Sequence, residues 1–204
     1  MSIAPLTSDQ TDALQEIVNI AMGQAGDSLA RTLDVFVELS VPRIRLVHVS
    51  EIIKTVYGMV DDREVVTAVR QSFYDNLNGE AIVLFGSSGC LDLAVLMGYA
   101  SELSTSGEQE LLLDVGNVLI GACIGGIGAQ FGVDLSFSPP SIMAERVVLE
   151  TVLVPEKLPW EYSLLVEVNF GLENSDFKSH LLILMAEDGI ESLRQSLERF
   201  MAAL

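Results

Sequence analysis

The chain has 204 residues, of which half are hydrophobic and a fifth are charged, enough to bury a sizeable core in one domain. Its 29 acidic residues outnumber the 11 basic ones and give a formal net charge of −18 at pH 7. A surface this acidic repels phosphate backbones and anionic lipid headgroups, which argues against nucleic acid and membrane surfaces as partners.

Cysteine and histidine show no pattern of a metal or disulfide site. Cys90 and Cys123 lie in apolar stretches without CxxC spacing, so buried free thiols are expected ahead of a disulfide or a metal site. His48 and His180 stand alone, which argues against zinc. The first ten residues lack the basic and apolar regions of a signal peptide. These features predict a protein of the reducing cytoplasm.

The first half is predicted to begin with a long amphipathic helix over residues 7–33. Thr7 and Gln10 have capping-box spacing, and apolar residues recur on one face of the predicted helix. Alternation from Val35 to Val41 then predicts a strand that enters Pro42. The remaining predictions are a short helix at 50–57, strands at 64–74 and 80–85 joined by a turn at 75–79, and a helix at 87–99.

The second half is predicted to repeat this order. Its predicted elements are a helix from 106 to about 131, with capping-box spacing at Ser106 and Gln109, a strand leading to Pro139 and Pro140, a helical stretch at 143–153, strands at 163–170 and 177–185 joined by a turn at 171–176, and a helix at 189–203. The two related halves, 1–101 and 102–204, are expected to form a single α+β domain with both strand sets merged in one sheet.

One segment is apolar enough to raise the question of a membrane. Val115–Val133 carries no charge over 19 residues and contains a Gly121-x-x-x-Gly125 pair. It is flanked by Asp114 and Asp134 rather than by basic residues, so insertion would be poorly anchored. A buried helix of a soluble protein is therefore predicted, and a membrane-associated helical protein is the weaker alternative.

A polar constellation occurs twice in the chain. The first copy consists of Asp12, Glu16, Asn19 and Pro42. The second follows 98 positions later and consists of Glu110, Asp114, Asn117 and Pro140. In both copies 22 residues separate Asn from Pro. Steps of four and three place the polar side chains on one helical face, and the repetition indicates two equivalent sites rather than an ordinary solvated face.

A glycine follows the asparagine by four residues in each copy. Gly23 and Gly121 both lie inside a predicted helix, where glycine costs about 1 kcal/mol relative to alanine. We therefore expect another element of the chain or an external partner to approach the helix backbone there.

This repeated pattern resembles the CheC phosphatases of bacterial and archaeal chemotaxis, with the related CheX and FliY proteins. Residues 14–23 are similar to the first signature of that family and residues 112–121 to the second. The resemblance implies a pseudo-two-fold symmetric domain, with a central, mainly antiparallel sheet and two long helices that carry the duplicated motif. It also implies hydrolysis of the aspartyl phosphate of a CheY-like response regulator.

The resemblance assigns roles to the motif residues. Asn19 and Asn117 would align the attacking water, while Glu16 and Asp114 would pair with a cation beside the phosphate of the regulator. The residues expected to support docking are Asp12, Gly23, Glu110 and Gly121. No cofactor or metal site is expected in this chain, since the regulator would supply Mg²⁺. CheD deamidase is a further partner that the family suggests.

The second motif departs from the family pattern. Asp114 stands where Glu is usual, and Glu110 stands where Asp or Ser is usual. Because aspartate is one methylene shorter than glutamate, the first site is predicted to be at least as active as the second. The rival hypothesis is a binding module with the same docking face but no useful turnover, such as an adaptor or a flagellar-switch component.

Overall fold

The computed structural model describes residues 5–33, 36–58, 65–86, 93–95, 98, 104–154, 161–173 and 177–203. The helices are α1 (Ser8–Leu33), α2 (Ile52–Tyr57), α3 (Thr105–Phe131) and α4 (Glu187–Ala202). The strands are β1 (Val37–Leu39), β2 (Arg43–His48), β3 (Val65–Asp75), β4 (Gly79–Gly86), β5 (Leu135–Phe137), β6 (Ser141–Val148), β7 (Tyr162–Leu172) and β8 (Lys178–Met185).

All these strands join one sheet, in which every pairing is antiparallel. The order is β1-β7-β8-β4-β3-β5, with β2 also paired to β7 and β6 also paired to β3. In the central pair, Ile82 of β4 lies opposite Leu182 of β8. The short strands of the first half thus pair with a long strand of the second half, and the reverse holds for β5 and β6. The predicted α+β class with an antiparallel sheet is confirmed.

The sheet buries both of its faces. Helices α1, α3 and α4 cover one face, where the larger core includes the buried rings of Phe73, Phe85, Phe170 and Phe177. A smaller core lies on the other face and packs Ile52 and the rest of α2 against the sheet. This layering follows from the period-two alternation of each long strand, which sends successive side chains to opposite faces.

The two long helices begin in different ways. At α1 the predicted capping box is present: the Thr7 N–H donates to Oε1 of Gln10 (3.0 Å), and the Gln10 N–H donates to Oγ1 of Thr7 (3.2 Å). At α3 the predicted box at Ser106 is wrong. The cap is Ser104, whose Oγ accepts from the Gly107 N–H (3.2 Å).

Strand prediction failed at β2 and β6, two of the four strands that pair outside the hairpins. The stretch 43–48 forms β2, which was not predicted, and 143–153 was predicted to be helical but continues β6 to Val148 before a short 3-10 turn. The helix propensity of Met-Ala-Glu is overridden because β6 pairs with β3 over five residue pairs. Arg146, with φ of 49°, lies where this pairing changes register. Most of the helix predicted at 87–99 lies outside the described residues.

Helix α3 is a core helix of this fold. It is the one described helix whose length and composition would suffice to cross a membrane, yet 56% of its most apolar segment is buried inside the protein. Its buried positions include Cys123, a free thiol whose pKa burial raises far above the usual range. The prediction of a buried free thiol is confirmed for Cys123, whereas Cys90 lies outside the described residues.

Helices α1 and α3 pack closely at one glycine. A Cβ atom placed on Gly126 would lie 3.0 Å from Cβ and 3.1 Å from Cα of Ala21. Five residues earlier on α3, a Cβ on Gly121 would meet no described atom within 4 Å. The two glycines therefore differ in what surrounds them although both belong to one helix.

We expect Gly126→Ala to lower the free energy of unfolding by about 1–3 kcal/mol because the added methyl group overpacks the contact with Ala21. The matched control is Gly121→Ala, which should raise stability by about 0.5–1 kcal/mol because alanine is the better helix former and meets open space. Urea unfolding monitored by circular dichroism measures both changes. Equal effects of the two substitutions would contradict the close approach of the helices.

A buried ion pair joins the two halves on the sheet face opposite α1 and α3. The side chain of Glu167 on β7 is 0% exposed, and Arg43 on β2 donates to it through Nε (2.7 Å) and Nη2 (3.0 Å). Nδ1 of His180 lies 3.6 Å from the same carboxylate. Burial alone would raise the pKa of Glu167, but the interactions with His180 and Arg43 outweigh burial and lower that pKa.

Loss of the cation should be strongly destabilising. We expect Arg43→Met to lower the free energy of unfolding by about 3 kcal/mol because it leaves a buried carboxylate without its bidentate partner. Arg31→Met is the matched control, since Arg31 pairs with Asp27 on the exposed surface of α1 and should contribute no more than about 0.5 kcal/mol. Denaturant titration compares the two variants, and a similar loss in both would count against the buried pair.

The Glu167 contribution should also depend on pH. Because its folded-state pKa is depressed, its stabilisation is fully present above the ordinary value of 4.5 and declines as pH falls through the folded pKa. The difference in unfolding free energy between wild type and Glu167→Gln should therefore be constant near neutral pH and shrink below 4.5. Denaturant unfolding at a series of pH values measures it. A difference that persists undiminished in acid contradicts the depressed pKa.

Candidate functional site

The duplicated polar stripe lies on the outer faces of the two long helices. The side chains of Asn19 and Asn117 are both exposed, whereas the opposite face of each helix carries buried apolar residues. The other predicted site residues that are exposed are Asp12, Glu16, Gly23, Glu110 and Asp114, while Gly121 is partly exposed. The approachable ridge that the hypothesis requires is therefore present on each helix, and the roles of its residues stay predictions.

The loops 40–42 and 138–140, which contain Pro42 and Pro140, are called the proline loops here, and the first of them is tied to α1. Nε2 of Gln15 donates a hydrogen bond to the carbonyl oxygen of Pro42 (2.7 Å). Gln15 belongs to the same helix as Glu16 and Asn19, so this bond fixes the loop beside the first polar stripe. The equivalent position in the second half is Leu113, which cannot make this contact.

The second copy uses a different glutamine. Nε2 of Gln71 on β3 donates to Oδ1 of Asn117 (3.0 Å) and to the carbonyl oxygen of Ser138 (2.8 Å). This one amide connects the strand, the predicted catalytic asparagine and the loop that leads to Pro140. Among the described residues the side chain of Asn19 has no hydrogen-bond partner. Gln71 was missed from the sequence because it lies in a strand far from either motif.

Exposed apolar side chains accompany the first copy and were also missed. Ile20, next to Asn19, is 38% exposed, and Val41, next to Pro42, is 72% exposed. Ile20 lies outside the apolar stripe of α1, and that departure from the helical pattern was the available signal. The first polar stripe thus has an apolar border that suits contact with a protein surface.

The glycines of the stripes have open space above them. Cβ atoms built on Gly23, Gly121 and Gly125 would meet no atom of the described residues within 4 Å. No described element of the chain therefore approaches the helix backbone there. Of the two expectations drawn from these glycines, the one that survives is approach by an external partner.

Among the described residues no metal-ligand cluster coincides with the stripes, and the pocket seen in this part of the chain lies elsewhere. Within the described ranges, no group of three or more His, Cys, Asp or Glu residues is arranged to hold a metal ion. An open pocket of about 450 Å³ lies between the β3–β4 turn and the start of α4, lined by residues such as Asn78, Glu80 and Asp188. It contains no residue of either motif, so the candidate site is a pair of exposed helical ridges.

Known proteins share both the first motif and the fold. Residues 10–45 match the model of the CheC-like family. The crystal structure of Thermotoga maritima FliY matches with a TM-score of 0.68 and 20% identity, covering 97% of this chain and 100% of that one. A chain of the FliM–SpeE complex from H. pylori also gives 0.68, at 13% identity, with 98% and 100% covered.

A CheX structure gives a further match of fold. CheX from Desulfovibrio desulfuricans matches with a TM-score of 0.54 and 11% identity, covering 82% of this chain and 99% of that one. Identities this low show a common fold, while the family match falls on the segment that holds the first polar stripe and its proline. The chain thus carries a segment similar to the CheC-like family within a fold that it shares with FliY and CheX structures.

Proposed function

We propose that this protein is a phosphatase that hydrolyses the aspartyl phosphate of a CheY-like chemotaxis response regulator. The observation that carries the proposal is the pair of outward-facing asparagines, Asn19 and Asn117, each preceded by an acidic residue one turn earlier on a long helix. The similarity of residues 10–45 to the CheC-like family supports a role in chemotaxis.

The chemistry of an acyl phosphate suits such a site. This bond is already reactive, so hydrolysis requires an aligned water rather than a covalent nucleophile. A carboxamide on a helix can hold a water in line with phosphorus by hydrogen bonds, and this is the role proposed for Asn19 and Asn117. No metal is needed in this chain, because the metal belongs to the phosphorylated regulator.

The acidic residues of the stripes could offset the repulsion between this acidic protein and a phosphate group. A protein with a formal charge of −18 approaches a phosphate unfavourably unless a cation on the partner is engaged. Glu16 and Asp114 are exposed one helical turn before each asparagine, where each could pair with a basic group beside the phosphate. The open backbone at Gly23 and Gly121 lets the partner approach the helices closely.

A non-catalytic switch-associated module is the second candidate. It is favoured by the equally good structural match to a chain of the FliM–SpeE complex, and a chain of a FliG–FliM complex from H. pylori shares the fold as well. Such a module would use the same exposed ridges to bind a regulator without hydrolysing its phosphate. Turnover therefore separates the two candidates, whereas binding alone does not. CheD deamidase stays a predicted partner under either function.

Substitution of the asparagines should reveal two parallel sites. Because the two rates add, Asn19→Ala and Asn117→Ala should each remove only the share of one site, whereas the double variant should lose about 10²–10³-fold of the acceleration. The measurement is the decay of a phosphorylated CheY-like receiver protein in the presence of each variant. The matched control is Gln24→Ala, an exposed amide of α1 outside the motif, which should keep the full rate.

The outcomes distinguish the two candidates. Full acceleration by the double variant would eliminate the catalytic assignment of the asparagines. Tight binding of the phosphorylated receiver by wild type, without faster decay, would favour the switch-associated module.

A further inference from the structure

The side chain of Gln71 bridges the two halves of the chain beneath the second polar stripe. Gln71 lies on β3 with 4% of its surface exposed, and it faces α3. Its Nε2 lies 3.0 Å from Oδ1 of Asn117 and 2.8 Å from the carbonyl oxygen of Ser138. A buried strand residue from the first half therefore holds the predicted catalytic side chain of the second half.

The orientation of both amides follows from the backbone acceptor. The carbonyl oxygen of Ser138 can only accept, so the atom of Gln71 that faces it must be the nitrogen. The same nitrogen faces Asn117, so Asn117 must present its oxygen to Gln71. The Nδ2 amino group of Asn117 is therefore directed away from Gln71 and is the part of the carboxamide offered to a partner.

The first half has no glutamine at the position equivalent to Gln71. The Ser72 N–H donates to Oγ of Ser138, and the Asn169 N–H donates to Oγ of Ser40, both at 3.0 Å, which makes Ser72 and Asn169 equivalent. The residue before each is Gln71 on β3 and Val168 on β7, and both are buried. Valine offers no donor to Asn19, so the carboxamide of Asn19 keeps its rotational freedom.

Gln71 is an unusual residue for this position if it serves packing alone. Its Oε1 is buried and has no hydrogen-bond partner among the described residues. A buried acceptor without a partner is destabilising, and an apolar residue such as the valine of the other half would avoid that loss. What the glutamine adds is the donor that orients Asn117.

We infer that Gln71 is a positioning residue that holds the Asn117 carboxamide with its amino group outward, so that the second site is pre-oriented and the first is not. This inference rests on the proposed phosphatase function for its catalytic consequence, but not for the orientation itself. A pre-oriented carboxamide does not lose rotational freedom when it aligns a water, and that loss slows catalysis at a site where the group rotates freely. This advantage of the second site opposes the disadvantage expected from the shorter side chain of Asp114.

The orientation is tested without any partner by ¹⁵N relaxation of the side-chain amino groups, which reports motion on the picosecond-to-nanosecond timescale. Signals are assigned from Asn19→Ala and Asn117→Ala. We expect the Asn117 amino group to be more ordered than that of Asn19 in the wild type, and Gln71→Val to lower its order to the level of Asn19. Equal order of the two groups in the wild type overturns the inference.

A control variant and an internal standard distinguish a local effect on Asn117 from a general folding defect. Gln15→Leu removes the contact with Pro42 and introduces the residue found at the equivalent position 113 of the second half. It should leave the Asn117 amino group ordered. The Asn19 signal should be unchanged in Gln71→Val. If Gln71→Val alters the Asn19 signal as much as that of Asn117, the effect is global and the inference fails.

The catalytic consequence is measured with each site isolated. In an Asn19→Ala background, Gln71→Val should lower kcat for the phosphorylated receiver by about 10-fold or more with KM unchanged. In an Asn117→Ala background the same substitution should leave kcat unchanged. An equal loss in both backgrounds, or none in the first, overturns the positioning role. If the wild type does not accelerate decay at all, the phosphatase proposal fails, and the relaxation measurement alone then decides whether Gln71 orients Asn117.

Discussion

Exchange of short strands between the two halves is the constraint on which the rest of this structure depends. Each half supplies a long hairpin, but β1 and β2 complete the sheet on β7, while β5 and β6 complete it on β3. Backbone hydrogen bonds of a sheet fix both position and register. The exchange therefore places the proline loops, which follow β1 and β5, beside a long strand of the other half. Each candidate site is thus built from residues of both halves.

The polar stripes face outward because the other faces of both long helices are packed in the core. Helices α1 and α3 lie side by side on the sheet and approach each other closely where Gly126 meets Ala21. That packing leaves one narrow arc of each helix exposed, and the asparagines lie on these arcs. The Arg43–Glu167 pair fastens β2 to β7 on the opposite face of the sheet, so it secures the strand that leads out of the first proline loop.

Local patterns in the sequence were reliable where the structure is itself local. The capping box at Thr7, the two long helices and both hairpins follow from spacing within a few residues, and all are present, whereas the box predicted at Ser106 is not. Strands β2 and β6 could not be predicted with the same success because their partners lie far away in sequence. The contact between Gln71 and Asn117 spans 46 positions and depends on the folded sheet, so no short pattern could show it.

Strand exchange also bears on how such a protein can vary. A polypeptide comprising only one half would have its short strands and its hairpin but no complementary hairpin for them, so it would need a second copy of itself to close the sheet. That assembly would carry two identical ridges. Covalent fusion removes this identity, because β3 and β7 become separate positions that change independently, as glutamine at 71 and valine at 168 already do.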